Sequence, residues 1–481
     1  MSNNIITLNN PVPRMPEFRF KTPVNWTINK GEQWCVIGPN GSGKTLLADM
    51  ILGSIAIREI DGNIHYGFDR PVSEAVKSIA FKDIYTLVDS STTYYQQRWH
   101  ATEQEGISTV REMLASDEKY AESLFRRFGV ESVLDKKIIS LSSGELRKFL
   151  LIRVLLTRPK ILIVDNPYIG LDEESRRSLD EMFTEMAELE GLQVILLLAN
   201  PADIPNMVTH VMPVYDKECL GVMTREEFMA DTTLQEKLFP MPQQTPQLPS
   251  PVRKASQHQI TFRMENVQVK HGNREIIKEI NWEVRNGEKW GLLGPNGSGK
   301  STLLSLVYAD NPQSYSNTIY LFDRRRGTGE SIWEIKERIG YVSPDMHLYY
   351  MEDIPTLQIV ASGFFDSIGL FRRCTPQQAE TVKQWMKTFG IESLADRSFL
   401  KLSSGEQRMA LLARAFVKDP DLLILDEPLH GLDISSKRLA SGIIEAFCRR
   451  EGKTLIYVTH YPHEMPPSVN KIFRLKKRTE A

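Results

Sequence analysis

The heptapeptide GPNGSGK occurs twice in the chain, at Gly38–Lys44 before Thr45 and at Gly294–Lys300 before Ser301. Both copies have the spacing G-x-x-x-x-G-K-[ST], in which glycines allow successive backbone N–H groups to curl around an anion. The lysine can reach the terminal phosphates of a nucleotide, and the Thr or Ser hydroxyl can bind Mg²⁺. Because each half of the chain has one copy, we predict a duplicated nucleotide-binding protein.

Further matches extend the repeat well beyond these phosphate-binding loops. They occur in the same order in both halves, so the halves are predicted to share one fold. The matching pairs are Asn25-Trp26 with Asn281-Trp282, Leu141–Glu145 with Leu402–Glu406, Ile161–Asp165 with Leu422–Asp426, and Gly170–Asp172 with Gly431–Asp433.

A segment rich in Pro and Gln, Pro240–Pro251, separates the halves and favours neither a helix nor a central strand. We therefore predict a first domain at 1–230, a linker at 231–258 and a second domain at 259–481. In each half a strand, a glycine loop and a helix precede a variable middle, after which strands alternate with helices. This order predicts an α/β fold with a largely parallel sheet.

Composition bounds the class of protein. A chain of 481 residues is too long for one core, and its 41% hydrophobic and 25% charged residues are ordinary for a globular protein. The net charge of −2 gives no excess of basic residues for nucleic acid. With no secretory signal pattern and no apolar run of about 18 residues, the sequence predicts a soluble cytoplasmic protein. Its cysteines lie far apart, without metal-binding or redox spacing.

The sequence LSSGE stands before a predicted helix and upstream of an apolar strand that ends in Asp. Taken alone, it predicts a helix N-cap, because Ser followed by Glu can form a capping box. In this order and position, LSSGELRK at 141–148 and LSSGEQRM at 402–409 resemble the signature of ABC ATPases. Ser143 and Ser404 stand where that signature usually has glycine. The resemblance covers nearly the whole chain, twice, and implies two tandem P-loop ABC-type nucleotide-binding domains, each with flanking helices and a helical subdomain.

The resemblance implies an ATP hydrolase that uses ATP and Mg²⁺. In ABC ATPases the signature of one domain meets ATP held by the phosphate loop of the other, so two nucleotides lie between two head-to-tail domains. A serine hydroxyl and backbone N–H groups at a helix start are suited to such an anion. We therefore predict an intramolecular dimer, in which Ser142–Glu145 complete the second-half site and Ser403–Glu406 complete the first-half site.

The two halves differ at the positions that carry the chemistry. By the resemblance, Asp426 would hold Mg²⁺ through water, Glu427 would orient and deprotonate the attacking water, and His460 would contact the γ-phosphate. In the first half, Asn166 and Asn200 occupy the positions of the glutamate and the histidine. Asparagine cannot take a proton, and a positioned general base is typically worth ~10²–10⁴ in rate. Unless these are ordinary turn residues, hydrolysis is predicted mainly at the second-half site.

The predicted site residues form three groups. The catalytic residues are Glu427 and His460, and the metal ligands are Thr45, Asp165, Ser301 and Asp426. The residues predicted to bind ATP are Gly38, Pro39, Asn40, Gly41, Ser42, Gly43, Lys44, Thr45, Ser142, Ser143, Gly144, Glu145, Gly294, Pro295, Asn296, Gly297, Ser298, Gly299, Lys300, Ser301, Thr302, Ser403, Ser404, Gly405 and Glu406.

Other positions of the family pattern are less well defined. The glutamine between the phosphate loop and the signature could be Gln96 or Gln97, and the comparable segment of the second half has none. Phe20 and His271 are the candidates for stacking on adenine. The basic run at 324–326 is interpreted as a solvated loop.

Three functions remain open beyond ATP hydrolysis. The first is that of the stand-alone tandem ABC ATPases of the ModF type, which the resemblance associates with molybdate transport. The second is that of ABC-F translation factors on ribosomes, although these usually have a long charged helical linker and glutamate in both halves. The third is the paired motor of a transporter whose membrane subunits are separate chains, with the protein peripheral at the inner face of the membrane. Direct nucleic-acid binding is not predicted, and ribosome binding belongs only to the second.

Overall fold

The computed structural model describes residues 4–58, 62–81, 109–114, 118–137, 141, 143–168, 171, 173–189, 191–240, 246–252, 256–271, 274–295, 297–344, 346, 350, 353–367 and 372–476. The chain forms two compact units, the first mainly from residues 1–241 and the second mainly from residues 242–481. The division between them lies within the predicted linker, whose exact bounds remain a prediction.

The first unit contains an antiparallel sheet and a mostly parallel sheet. The strand orders are β2–β1–β4 and β10–β8–β3–β7–β6–β5, with β9 paired to β8. The strands are β1 Asn4–Asn9, β2 Asn25–Asn29, β3 Trp34–Ile37, β4 Asn63–Tyr66, β5 Val76–Ala80, β6 Ile161–Asp165, β7 Gln193–Leu198, β8 His210–Tyr215, β9 Glu218–Cys219 and β10 Met223–Thr224. The helices are α1 Lys44–Ile51, α2 Val72–Ala75, α3 Val110–Met113, α4 Glu118–Arg127, α5 Ser143–Leu155, α6 Glu173–Ala187, α7 Arg225–Ala230 and α8 Thr232–Leu238.

The second unit has the same division into two sheets. The strand orders are β12–β11–β14–β15, which is antiparallel, and β16–β17–β18–β13–β19, which is parallel. The strands are β11 Ile260–His271, β12 Arg274–Arg285, β13 Lys289–Leu293, β14 Thr318–Leu321, β15 Arg324–Arg325, β16 Ile339–Val342, β17 Leu422–Asp426, β18 Thr454–Val458 and β19 Lys471–Arg474. The helices are α9 Lys300–Val307, α10 Ile332–Glu337, α11 Thr356–Ala361, α12 Pro376–Thr388, α13 Ser404–Phe416 and α14 Ile434–Cys448.

The parallel sheets are the cores of the two units. Strands β6, β7, β17 and β18 are almost wholly apolar and buried, as expected for strands covered on both faces. Helices α4 and α5 in the first unit, and α11–α13 in the second, pack beside these sheets through apolar clusters. The prediction of an α/β fold with largely parallel sheets, flanking helices and helical parts is confirmed.

Parts of the predicted linker belong to the units on either side. Asp231 caps α8 by accepting a hydrogen bond from Leu234 N at 2.9 Å, and Leu238 is buried in the first unit. The Pro and Gln content that predicted an extended tether begins only at Pro240, so it gave no information about α8. On the other side, Leu248 packs against the core of the second unit.

The basic run at 324–326 is only partly a solvated loop. Arg324 and Arg325 are exposed in β15, but Arg326 is 5% exposed and pairs with Glu330 at 2.8 Å. Its guanidinium also lies over the ring of Tyr315, so the prediction was wrong for Arg326.

Among the helices of the described residues, none has the length and apolar character needed to span a membrane.

Candidate active sites

The phosphate-binding loops follow the central strands β3 and β13. Gly43 and Gly299 have φ values of 110° and 89°, a backbone conformation that glycine adopts without steric cost. A Cβ on Gly38 would meet Val214 O at 1.9 Å, so this glycine permits close packing of the loop on β8. The loops therefore have their shape because of the glycines, as their spacing predicts.

Each loop lysine folds back onto its own loop. Lys44 Nζ donates to Gly38 O and Pro39 O, both at 2.8 Å, and Lys300 Nζ donates to the equivalent carbonyls at 2.7 and 3.1 Å. Burial lowers the pKa of Lys44 to about 8, although the Asp165 carboxylate opposes this shift. Each ammonium thus contacts two carbonyls of its own loop, and a phosphate would compete with these carbonyls for it.

A buried hydroxyl in each loop fits an anionic ligand. Ser42 Oγ and Ser298 Oγ are buried and have no hydrogen-bond partner among the residues that the structure describes. Helices α1 and α9 begin two residues after these serines, and neither has a side-chain cap. Unsatisfied N–H groups and the helix dipole favour an anion at such a helix start. The two loops therefore fit the phosphates of ATP.

A hydroxyl and a carboxylate meet beside each loop. Ser301 Oγ donates to Asp426 Oδ2 at 3.1 Å in the second unit, and Thr45 Oγ1 donates to Asp165 Oδ2 at 3.3 Å in the first. Burial, and then the neighbouring Glu427 carboxylate, raise the pKa of Asp426 to about 7. Hard oxygen donors of this kind suit Mg²⁺, which would also relieve the repulsion that raises this pKa.

Glu427 is held between two histidines at the end of β17. Its Oε1 lies 2.8 Å from His460 Nε2, and its Oε2 lies 3.8 Å from His430 Nδ1. Burial would raise the pKa of Glu427, but the hydrogen bond with His460 and the charges of His430 and His460 hold it below its ordinary value. Glu427 has φ of 48°, a conformation that is costly for glutamate and is typical of functional sites.

Arg408 is a residue of this site that the sequence analysis missed. It is buried in α13 and donates to the carbonyls of Asp426, at 3.1 Å, and of Glu427. It also donates to Pro428 O at 3.2 Å and to Ser343 O at 2.6 Å. Arg408 thereby fixes the strained backbone that carries Glu427. An arginine two residues after the signature glutamate, repeated as Arg147 in the first half, was the available indication.

The corresponding positions of the first unit make different contacts. Asn166 Nδ2 donates to Asp165 Oδ1 at 2.7 Å. Asn200 Oδ1 accepts from Ala202 N at 3.1 Å, and its amide lies 3.4 Å from Asp203 Oδ1. Asn200 therefore caps a short helical turn, whereas His460 contacts Glu427. The structure brings Asn166 to the carboxylate of Asp165, whereas the Asn200 amide contacts Ala202 and Asp203 of its own turn.

The second signature begins α13 with a capping box. Ser403 Oγ accepts from Glu406 N at 3.4 Å, and Glu406 Oε2 accepts from Ser403 N at 2.7 Å. The N-cap that LSSGE predicts is therefore present, and binding of ATP by this segment stays a prediction. In the first unit, Glu145 pairs with Lys136 at 2.8 Å.

Some of the remaining predicted site residues lie within the part of the chain that the structure describes, and others lie outside it. Phe20 lies beside Gly43, where an added Cβ would meet the phenylalanine ring at 3.5 Å. This position is compatible with the predicted contact to adenine, which stays a prediction. Outside the described residues lie Gln96, Gln97, Ser142 and Asn296, as do the side chains of Ser143 and His271.

Comparisons with known proteins agree with this geometry. A model of the ABC transporter family matches residues 22–169 and 277–430. The ABC transporter ATP-binding protein ModF of Escherichia coli is 34% identical over 453 residues, which are 92% of this chain and 91% of that protein. An uncharacterized ABC transporter ATP-binding protein of Schizosaccharomyces pombe, C323.04, is 28% identical over 470 residues, 95% of this chain and 94% of that protein.

A solved structure shows the same fold. The archaeal ribosome recycling factor aABCE1, solved with the ribosomal stalk protein aP1, has a TM-score of 0.55 and covers 97% of this chain and 87% of its own. At 18% identity this likeness concerns the fold alone. Together with the family match, these relatives confirm the predicted resemblance to tandem ATPases of the ModF type. The chain belongs to the ABC transporter family and is an ATP-hydrolysing ATPase with two tandem ABC-type domains.

Proposed function

We propose that the chain binds two ATP molecules with its two units and hydrolyses ATP mainly at the site of the second unit. The observation that carries this proposal is the Glu427–His460 pair, whose side chains lie 2.8 Å apart. At the matching position of the first unit, the Asn166 amide donates a hydrogen bond to the carboxylate of Asp165. An amide can bind water but cannot accept its proton.

In the second unit, each side chain has a distinct task. Glu427 has a lowered pKa and is therefore ionised at neutral pH, so it can accept a proton from a water molecule. His460 fixes the orientation of that carboxylate, and Lys300 would exchange its loop carbonyls for the terminal phosphates. Ser301 and Asp426 would hold Mg²⁺, which supplies neutralisation of the phosphate charge when bound.

The proposal includes pairing of the two units around ATP. Ser142–Glu145 would complete the site of Lys300, and Ser403–Glu406 would complete the site of Lys44. The likeness to tandem ABC proteins over nearly the whole chain supports this arrangement. ATP would then act as the ligand that joins the units, and hydrolysis would release them.

Matched substitutions at the two strand ends test the asymmetry. Glu427→Gln removes the proton acceptor and keeps the shape, so we expect steady-state ATPase activity to fall by ~10²–10⁴. Asn166→Gln keeps an amide at the other position and should leave most of the activity. Purified full-length variants are compared in one phosphate-release assay, with ATP binding measured beside it. Comparable losses from both substitutions would contradict the assignment of hydrolysis to the second unit.

A link to transport is the favoured cellular role. The sequence resemblance implied molybdate transport, and the 34% identity to ModF supports a role of the ModF type without identifying a transported ion. The putative HMP/thiamine import ATP-binding protein YkoD of Bacillus subtilis is 25% identical over 91% of this chain. A paired motor for separate membrane subunits is therefore the second candidate, and an ABC-F-like role on ribosomes is the third.

Isolation from native cells distinguishes these roles. A tagged Glu427→Gln chain is purified with ATP and Mg²⁺. Under these conditions its two units should remain paired around ATP, and the chain should remain bound to its cellular partner. Co-purification of membrane-transport subunits would support the two transport roles. Growth of the native cells that depends on external molybdate would favour the ModF-type role over the second. Ribosomal proteins in stoichiometric amount would overturn both.

A further inference from the structure

The segment Pro246–Pro249, which we call the strap, lies against two helices of the second unit. At the end of α12, Thr388 Oγ1 donates to Gln247 O at 3.2 Å. The side chain of Leu248 packs against the apolar cluster to which both α12 and α14 contribute. The strap is therefore an ordered part of the second unit, although its sequence predicted an extended linker.

The strap is held mainly through its carbonyls. Its two prolines have no N–H that needs a partner. Arg450, just after α14, donates through Nη2 to Pro249 O, and its Nη1 donates to Asp419 at 3.1 Å. Because Asp419 fixes the guanidinium within the second unit, Arg450 is positioned to receive the strap.

A glycine inside α14 makes room for the strap. A Cβ on Gly442 would lie 3.3 Å from both Cγ and Cδ of Pro246. Glycine in the interior of a helix is destabilising relative to most other residues. Gly442 is the ninth residue of α14, and the ninth residue of α6 in the first unit is Glu181. The glycine thus stands where the strap approaches the helix closely.

The first unit joins the corresponding helices without a strap. Arg127 is the last residue of α4, as Thr388 is of α12. It donates to Glu188 Oε2 at 2.9 Å and to Glu185 O at 3.0 Å, at the end of α6. An ion pair therefore connects these helices in one unit, and the strap connects them in the other.

Docking of the strap shortens the chain that connects the units. From Phe239, buried in the first core, to Pro246 the chain advances seven residues and can span at most about 25 Å. Beyond the strap, the next hydrogen bond to the second unit among the described residues is that of Ser256 O with Asn286 Nδ2, at 2.9 Å. The seventeen residues from Phe239 to Ser256 can span about 60 Å.

We propose that the strap is a device that sets the length of the tether between the two units. While it is docked on α12 and α14, the short tether favours pairing of the units, and its release lengthens the tether and weakens pairing. The effective concentration of one tethered unit at the other falls roughly fourfold for this change in length. This consequence rests on the proposed function, in which the units pair around ATP, whereas docking rests on the contacts of the strap alone.

A double-mutant cycle in the full-length chain tests docking. Leu248→Ala removes the apolar contact, and Gly442→Glu places a side chain where Pro246 lies, so each should lower the folding equilibrium constant by about tenfold in urea unfolding. Since either change releases the strap, the double variant should be no less stable than the less stable single variant. Gln247→Ala, which alters an exposed side chain and keeps the carbonyl, is the control and should change nothing.

Helix propensity gives the opposite expectation for one of these variants. If the strap does not dock, Gly442→Glu should make the chain more stable, because glutamate is a better helix former than glycine. That result, or losses that multiply in the double variant, would overturn the proposal.

Insertion of ten Gly and Ser residues after Gln243 lengthens the tether and leaves the strap unchanged. Pairing and ATP binding favour each other, so weaker pairing requires more ATP. We expect the ATP concentration for half-maximal turnover to rise roughly fourfold in this variant and by a similar factor in Gly442→Glu. Gln247→Ala should again match the unaltered chain. Unchanged values in both variants would overturn control of pairing by the strap.

Lys44→Ala separates this inference from the proposed function. If turnover depends on Lys44 but not on tether length, only the inference is rejected. If turnover depends on neither, the pairing in the proposed function is rejected, and with it the control of pairing by the strap. The stability cycle decides in both cases whether the strap docks.

Discussion

A strained glutamate held by an arginine is the central feature at the scale of residues. Glu427 has φ of 48°, and such a conformation costs about 1–3 kcal/mol. Arg408 offsets this cost through hydrogen bonds to the carbonyls of Asp426, Glu427 and Pro428. Because the same guanidinium contacts Ser343 O, it joins the end of β17 to the segment after β16. The geometry of the proposed proton acceptor therefore depends on a buried side chain of α13.

Replacement of Arg408 tests this dependence. Arg408→Met keeps the volume but leaves buried carbonyls without their donor, so we expect the free energy of unfolding to fall by about 3 kcal/mol. Arg408→Lys restores one cation but not the fork of donors, and it should recover stability better than ATPase activity. Urea unfolding and ATPase assays measure both quantities.

An exposed arginine supplies the control for this prediction. The Arg449 side chain is 70% exposed and pairs with Glu445 at 3.2 Å, so Arg449→Met should change stability by no more than about 0.5 kcal/mol. Equal effects of Arg408→Met and Arg449→Met would show that Arg408 does not support the strand end.

At the scale of elements, the segment before β11 is fixed to the parallel sheet by a buried histidine. His258 Nδ1 lies 3.0 Å from Arg338 Nη2 and therefore serves as an acceptor, so Nε2 carries the proton that faces Thr261 Oγ1 at 3.0 Å. Arg338 also donates to Asp421 at 2.7 Å. Burial, and then the Arg338 charge, lower the pKa of His258, while Asp421 and Asp323 oppose this shift.

This environment predicts the direction of a pH effect on stability. The folded-state pKa of His258 lies below its ordinary value of 6.5, so the unfolded chain binds the proton more readily. Stability should therefore fall as the pH falls through 6.5 towards the folded-state pKa. His258→Gln should reduce that slope for the second unit, measured by denaturant unfolding at a series of pH values. An unchanged slope would show that other groups cause the acid sensitivity.

The elements also show what the sequence could predict. Asp165 and Asp426 were predicted correctly to end buried strands, because an apolar run followed by a carboxylate is a local pattern. The contact of Asn166 with Asp165, and the role of Arg408, depend on side-chain directions and on elements far apart in sequence. Arg326 was misassigned because neighbouring arginines look alike in a sequence, whereas the structure buries this one against Glu330 and Tyr315. The α8 helix was missed because the residues that form it were included in the linker, whose Pro and Gln content begins only after the helix ends.

At the scale of the whole molecule, the first unit should control turnover at the second. Lys44→Ala removes the cation that would face the terminal phosphates, so ATP should bind far more weakly to the first unit. If ATP there joins the units, turnover at Glu427 should fall although that site is unaltered. A coupling free energy of about 1–3 kcal/mol corresponds to a loss of roughly 5–150-fold. The exposed Lys30, changed to alanine, is the control.

Steady-state ATPase and a two-site binding titration measure this coupling. Unchanged turnover of Lys44→Ala with only one nucleotide bound would mean that the first unit is a scaffold. A parallel fall in turnover and in first-site occupancy would support control by bound ATP.

The fate of the γ-phosphate in each unit tests the central claim of unequal hydrolysis most directly. The full-length chain, with a protease site placed in the Pro240–Pro251 segment, is allowed one turnover with 8-azido-ATP labelled in either the α- or the γ-phosphate. It is then photolysed and cut between the units. We predict that the first-unit fragment retains both labels, while the second-unit fragment retains the α label and loses the γ label. Equal loss of the γ label from both fragments, or earlier loss from the first, would contradict the account.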